Sequence, residues 1–318
     1  MSYVASLKKM VLEGYLPNEE EGMRLAEENT DELASAASEL RRHFTGEKMH
    51  LCAIVNAKNG CCGEDCKFCA QSRLAKNALK SYKLLPPEEM AEKAVSNYKD
   101  GMERFAFVTS GRALTDSEVE TLCEACRLIR QKCSVKLCAS SGLLTYSQLQ
   151  KLHNAGITRY HCNLETSRRF FPNICTTHTY DEKIQTLKNA KAAGMEICSG
   201  GIIGLGENMR DRIEMVLTQR ALGVSSVPVN VLNPIPGTPF EKDARLSYDE
   251  IRKTISVFRF LLPKAEIRFA GGRILTPDKG RLAIESGLNA LISGNMLTIS
   301  GIGAKDDIKI AKELGFET

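Results

Sequence analysis

The sequence predicts a (β/α)8 barrel of the TIM type, preceded by an N-terminal helical extension. Three observations carry this expectation. Eight short β-branched or apolar runs punctuate the chain, amphipathic segments fill most gaps between them, and glycine recurs where those segments stop. The eightfold repeat of one βα order favours a closed barrel over its rival, an open doubly wound sheet.

Residues 1–45 read as helices ahead of the barrel, with Asn29, Thr30 and Asp31 as the cap region before ELASAASELRRHF. The barrel then occupies 46–318. Its strands are expected at LCAIVNA (51–57), RFAFVTS (104–110), VKLCASS (135–141), RYHCNLE (159–165), EICSGGIIG (196–204), SVPVNVL (226–232), EIRFAG (266–271) and ALISGN (290–295). Segments such as PEEMAEKAVSNYKD and YDEKIQTLKNAKAAG supply the helices, and Gly101, Gly156, Gly194, Gly223 and Gly287 suit left-handed caps. No low-complexity or Pro/Ser-rich linker divides the chain. In such a barrel, chemistry belongs to the C-terminal ends of the strands and the loops beyond them.

Composition excludes several classes. With 43 basic and 39 acidic side chains in 318 residues, net charge +4, the chain has neither a nucleic-acid footprint nor a membrane-binding face. It shows no apolar signal-peptide core at its start and no run of about 18 apolar residues, so a cytoplasmic protein is expected.

Twelve cysteines are many for a reducing compartment, and they point to metal or redox chemistry. Cys52, Cys123, Cys126 and Cys133 read as small apolar core residues. Directly after the first strand, NAKNGCCGEDCKFCAQS holds Cys62, Cys66 and Cys69 as C-x3-C-x2-C. Three thiolates on one loop can hold three corners of a [4Fe–4S] cube and leave the fourth iron open. A structural zinc site would need a fourth ligand, for which this loop offers only Cys61. Cys62 keeps the tighter spacing, which leaves Cys61 a bystander.

With Phe68 at the aromatic position, C-x3-C-x-aromatic-C resembles the signature of the radical S-adenosylmethionine superfamily. That resemblance implies an open iron that chelates the methionine end of S-adenosylmethionine, and one-electron cleavage to a 5′-deoxyadenosyl radical. GGIIGLGE is similar to the G-x-I-x-G-x-x-E strand of that superfamily through Gly200, Ile202, Gly204 and Glu207, whose backbone would approach the adenine.

From roughly residue 40 to 315 the chain further resembles the biotin synthase family, through CKFCAQS, YHCNLETS, ICTTHTYDEK, ICSGGIIGLGE, SVPVNVLNPIPGTP and IRFAGGR. The resemblance implies sulfur insertion into dethiobiotin, an electron donor such as flavodoxin or ferredoxin, and a homodimer. Asn163 and Glu165 would contact S-adenosylmethionine or dethiobiotin, and Asn230 would bond the ureido ring. A neutral ureido group suits neutral donors and acceptors, while a carboxylate can accept from two ribose hydroxyls.

The family usually carries a second, [2Fe–2S] cluster on three cysteines and an arginine. Cys138, Cys198 and Arg268 match three of these positions, but Ala106 stands where the remaining cysteine would be. Cys162 is the expected replacement, with Cys175 as substitute, although strand alternation sets Cys162 out of phase with Asn163 and Glu165. Three cysteines suit a four-iron cube, so an auxiliary four-iron cluster on Cys138, Cys162 and Cys198 is expected, with Arg268 as a nearby cation. Other readings are a different radical barrel enzyme, of the hydrogenase-maturation or pyrrolysine-pathway type, and an iron–sulfur redox sensor.

Overall fold

The computed structural model describes residues 1–60, 62–77, 79–294, 297 and 301–318. Cys61 and Asn295, the end of the last expected strand, lie outside the described residues. Three helices come first: α1 (Tyr3–Leu12), α2 (Glu19–Glu27) and α3 (Thr30–Thr45). Asn29 caps α3, its side chain accepting the Asp31 and Glu32 amides. The helices lie on the outside of the barrel, α3 against α9 (Tyr248–Leu261) and α2 against α8 (Met209–Leu222).

The barrel strands are β1 (His50–Lys58), β2 (Arg104–Thr109), β3 (Lys136–Ser140), β4 (Ile157–His161), β5 (Glu196–Cys198), β6 (Gly201–Ile203), β7 (Ser226–Val231), β8 (Glu266–Phe269) and β9 (Ala290–Ser293). All pairings are parallel. β1 pairs with both β2 and β9, and β7 bridges β5 and β8, so the sheet closes on itself. That closure excludes the open sheet. Helices α4 (Pro87–Lys99), α5 (Asp116–Arg130), α6 (Tyr146–Ala155), α7 (Tyr180–Ala192), α10 (Arg281–Glu285) and α11 (Ala304–Glu313) complete the outer ring with α8 and α9.

Local chemistry explains the helix starts. Thr115, Thr145, Thr179 and Asn208 each open a helix with a reciprocal capping box, which satisfies two otherwise orphaned amides apiece. The five glycines expected as stops all have φ between 75° and 115°. Cys123 and Cys126 sit in the apolar core on α5, and Cys133 packs against it.

Two expected strands are interrupted. EICSGGIIG divides into β5 and β6 because a Cβ on Gly200 would lie 1.8 Å from the Pro228 carbonyl oxygen, an approach that only glycine permits. RYHCNLE stops at His161, where its pairing with β5 ends at Cys198, and Glu165 further on turns to φ 72°.

Inside the barrel the strand period is strict. Cys52 and Ile54, Arg104 and Ala106, Cys138 and Ser140, Arg159 and His161, and Arg268 and Ala270 face inward. Phe105, Phe107, Tyr160, Val227 and Leu291 face the helices and are wholly buried. The floor is an ion network. Arg159 bonds Glu266 through both terminal nitrogens (2.7 and 3.0 Å) and Glu196 through Nε (2.8 Å), and Arg268 reaches Glu266 at 2.9 Å. A separate buried guanidinium, Arg259 on α9, has no carboxylate partner among the described residues. It donates to the carbonyls of Leu262, Pro263, Ala265 and Gly287 and to Asn289 Oδ1.

Candidate active site

A cavity of about 360 Å³ opens at the C-terminal ends of the strands. The loop after β1, with Cys62, Cys66 and Cys69, stands at its upper side and turns Phe68 into it. Two acids in this loop hold its shape. Asp65 accepts the Thr176 and Thr177 amides at 2.8 and 3.1 Å, Glu64 accepts the Thr177 hydroxyl at 2.7 Å and pairs with His178, and the Lys67 amide donates to the Ile174 carbonyl at 2.9 Å. The three cysteines are therefore pinned to the segment Ile174–His178.

These thiols suit an iron–sulfur cluster. All three are half-buried on one loop, and the Gln71 amide donates to Cys69 Sγ at 3.4 Å, a bond that favours thiolate. Burial pushes the Cys69 thiol up to about 11, so cluster assembly must displace its proton. Cys175 lies beside this loop, with its sulfur 3.7 Å from Cys66 Sγ and 3.4 Å from His178 Nδ1. The hydrogen bond between the two sulfurs raises Cys66 and lowers Cys175, which is pulled down to about 4. Cys175 thus belongs to the neighbourhood of the first three cysteines and is not brought to Cys138 and Cys198.

Across the cavity, Asn163 and Glu165 project from the segment after β4. The Gly200 amide donates to Asn163 Oδ1 at 2.9 Å, and Asn163 Nδ2 reaches Glu165 Oε2 at 3.3 Å. Burial raises the Glu165 carboxyl, opposed by Lys183 and His161. This half-buried carboxylate lines the cavity and can accept from a ligand's hydroxyls. Ile202 lines the same wall. Gly204 and Leu205 donate their amides to Glu207 at 2.8 and 2.6 Å, and Glu207 is paired with Arg212, so the end of the GGIIGLGE motif holds its own turn.

Asn230, on β7, receives the Gly271 amide at 2.8 Å and donates to the Gly201 carbonyl at 3.1 Å. One amide hydrogen and one lone pair remain for the cavity it lines.

Deeper down, Cys138, Cys198 and Arg268 line the same part of the barrel interior. Cys162 does not join them. It points away from the cavity into the apolar layer between sheet and helices, because it shares the phase of Tyr160 while His161 and Asn163 face inward. This corrects the expected ligand set. Cys52, which the sequence reads as a core residue, lines the cavity, as do His161 and Arg159, which the sequence did not single out. His161 Nδ1 lies 3.3 Å from Cys198 Sγ, and burial lowers its pKa to about 4, which keeps the ring neutral. Cys52 packs with Ala106, Cys138 and Ile54 in a cluster separate from the main core. Its direction is fixed by the register of β1 against β2 and β9, which the sequence of β1 alone does not carry.

Comparison with known proteins places this geometry. Residues 58–218 match the Radical SAM superfamily, and residues 228–317 match the Biotin and Thiamin Synthesis associated domain. The chain is 54% identical over 317 residues to the biotin synthase of Clostridium botulinum strain Alaska E43, covering 100% of both chains. It is 46% identical to that of Akkermansia muciniphila, covering 100% of this chain and 99% of the relative. Among solved structures, methylornithine synthase superposes with TM-score 0.84 at 20% identity, over 98% of this chain and 96% of that one. The hydrogenase maturase HydG gives 0.84 at 16%, over 99% and 74%. These two share the fold, whereas the sequence relatives match the chain over its full length. The chain belongs to the biotin synthase family of the radical S-adenosylmethionine superfamily.

Proposed function

We propose that the cavity holds dethiobiotin between two iron–sulfur centres and that the chain inserts sulfur to close the thiophane ring of biotin. The observation that carries this reading is the cavity itself, with the Cys62, Cys66 and Cys69 loop above it and the buried thiols of Cys138 and Cys198 below. The upper cluster, when bound, supplies one-electron cleavage of S-adenosylmethionine, the chemistry that unactivated C–H bonds require.

The chain's own side chains do the rest. Phe68, Ile202 and Glu165 surround the place for the nucleoside, and Asn163 and Asn230 offer neutral donors and acceptors to a ureido ring. The apolar wall made by Ile54, Val108 and Ile292 excludes water from the reacting carbons. Ala106 has no ligand atom, so a two-iron cluster on the family's usual set is not supported. A four-iron auxiliary cluster on three thiolates fits better. An external donor such as flavodoxin or ferredoxin, a cytoplasmic location and a homodimer accord with this reading. No helix among the described residues is long and apolar enough to cross a membrane, and every described cysteine is free.

The decisive experiment is 5′-deoxyadenosine release under anaerobic reduction, with and without dethiobiotin. Dethiobiotin should stimulate release and be converted to biotin. Release that ignores dethiobiotin would sink the substrate assignment. A pure [2Fe–2S] Mössbauer signal from protein lacking Cys62, Cys66 and Cys69 would sink the four-iron assignment.

A further inference from the structure

We propose that Cys52 is the third thiolate of the auxiliary cluster, closing with Cys138, Cys198 and Arg268 a single four-membered ring inside the barrel. The inference rests on the functional reading above and names the chain's own ligand set within it.

Barrel geometry supplies the argument. In a closed barrel with a shear of about 8, the horizontal layer is traced by moving to the pairing partner on the next strand and then one residue onward. From Cys52 the partner is Arg104, and the next residue is Phe105. Phe105 leads to Cys138, Cys138 to Tyr160, Tyr160 to Cys198, and Cys198 to Val227. Val227 leads to Arg268, Arg268 to Leu291, and Leu291 back to Cys52. The circuit closes on its starting residue. Alternate members face inward, and those are Cys52, Cys138, Cys198 and Arg268, all lining the cavity. The other four point outward and are fully buried among the helices or in the core.

Interior layers of such barrels consist of four side chains from alternate strands. This layer therefore holds three thiols and one guanidinium, with nothing left over. The same walk from Ala106 passes through His161, Pro228 and Ile292, which is the next layer up and carries no thiol. A cysteine at 106 would reach down from that upper layer, whereas Cys52 lies level with Cys138 and Cys198. Ala106 leaves room beside Cys52 and Cys138, which it touches.

The fourth corner is spoken for. Arg268 donates to the Leu291 carbonyl at 2.8 Å and to Glu266 at 2.9 Å, so its guanidinium is held as a cation. Arg104 and Arg159 stand just below. Three arginines against Glu196 and Glu266 leave net positive charge in and beneath the ring, which suits an anionic cluster held there. Three thiolates and a cation that does not ligate leave one iron of a cube open to the cavity.

The test uses the full chain carrying Cys62→Ala, Cys66→Ala and Cys69→Ala together, reconstituted anaerobically with iron and sulfide. It should bind about four irons in the auxiliary site. Adding Cys52→Ser should cut bound iron at least fourfold and remove the cluster's Mössbauer signal, while adding Cys162→Ala should leave both unchanged. Cys52→Ala, suited to its apolar neighbours, repeats the test without a buried hydroxyl, and far-ultraviolet circular dichroism confirms that each chain is folded. Full iron and an unchanged spectrum in folded Cys52 variants, or loss of the cluster in Cys162→Ala, overturns the assignment. Dethiobiotin-stimulated release of 5′-deoxyadenosine by the unmodified chain is a separate measurement, so failure of the functional reading and failure of the ligand assignment are distinguishable.

Discussion

Glu165 and Gly201 face each other across a single parallel bridge, and the glycine makes the bridge possible. The Glu165 amide donates to the Gly200 carbonyl at 3.2 Å, and the Ile202 amide to the Glu165 carbonyl at 2.9 Å. A Cβ on Gly201 would lie 2.5 Å from that carbonyl oxygen. Glu165 is held at φ 72°, a conformation that L residues disfavour, and it stays there because these bonds leave no alternative. Gly201→Ala is expected to lower stability by about 1–3 kcal/mol and to weaken S-adenosylmethionine binding roughly tenfold. Denaturant titration and equilibrium binding check this, and wild-type affinity in a destabilised variant would detach Glu165 from the nucleoside site.

Replacing Cys62, Cys66 or Cys69 singly with alanine removes one of three thiolates on a loop that offers no described substitute at the same position. Each variant should lose cleavage of S-adenosylmethionine altogether. Cleavage at the wild-type rate in any one of them would remove that cysteine from the cluster.

Asn230→Leu strips the Gly271 amide and the Gly201 carbonyl of their partners, at a cost of about 1–3 kcal/mol each when buried. The clusters should assemble normally, and the dethiobiotin concentration giving half-maximal stimulation should rise at least tenfold. An unchanged concentration dependence would take Asn230 out of the substrate pocket.

Acid should act through Glu266. Burial alone would raise its pKa, but Arg159 and Arg268 outweigh burial and hold the carboxyl well below its ordinary value of 4.5. The folded chain therefore releases this proton more readily than the unfolded chain. Its contribution to stability is fully present above pH 4.5 and declines as pH falls below that. Urea midpoints should drop steeply as pH falls below 4.5 in the wild type, and less steeply in Glu266→Gln.

Arg259→Met should be among the most damaging changes outside the cavity. It leaves four carbonyls and the Asn289 amide oxygen without their shared donor, and a loss of about 3–5 kcal/mol is expected. A thermal midpoint within a degree of wild type would show that water replaces the guanidinium.

The barrel was legible because its strands and helices announce themselves by different periods, and its first cluster because three cysteines share one loop. The lower site was only partly so. In RYHCNLE, the polar Asn163 and Glu165 set the phase and already turned Cys162 outward. LCAIVNA offers no such marker, since a barrel strand buries both faces and its inward side is as apolar as its outward side. Cys52 thus reads as core until pairing with Arg104 on one side and Ile292 on the other fixes which way it points. Likewise, nothing in ICTTHTY reveals that Cys175 folds back on Cys66, because that contact spans more than 100 residues.

Closure of the barrel depends on β1 meeting β9, which joins positions about 240 residues apart. Such a pairing is slow to form, and on the ribosome it cannot begin until β9 has emerged. The cysteines of β1 and its loop are made early, so they wait through most of synthesis without the strands that will enclose them. Cys52 spends that interval as an accessible thiol and ends it buried in the cavity wall. The order in which the chain is made thus sets the order of vulnerability.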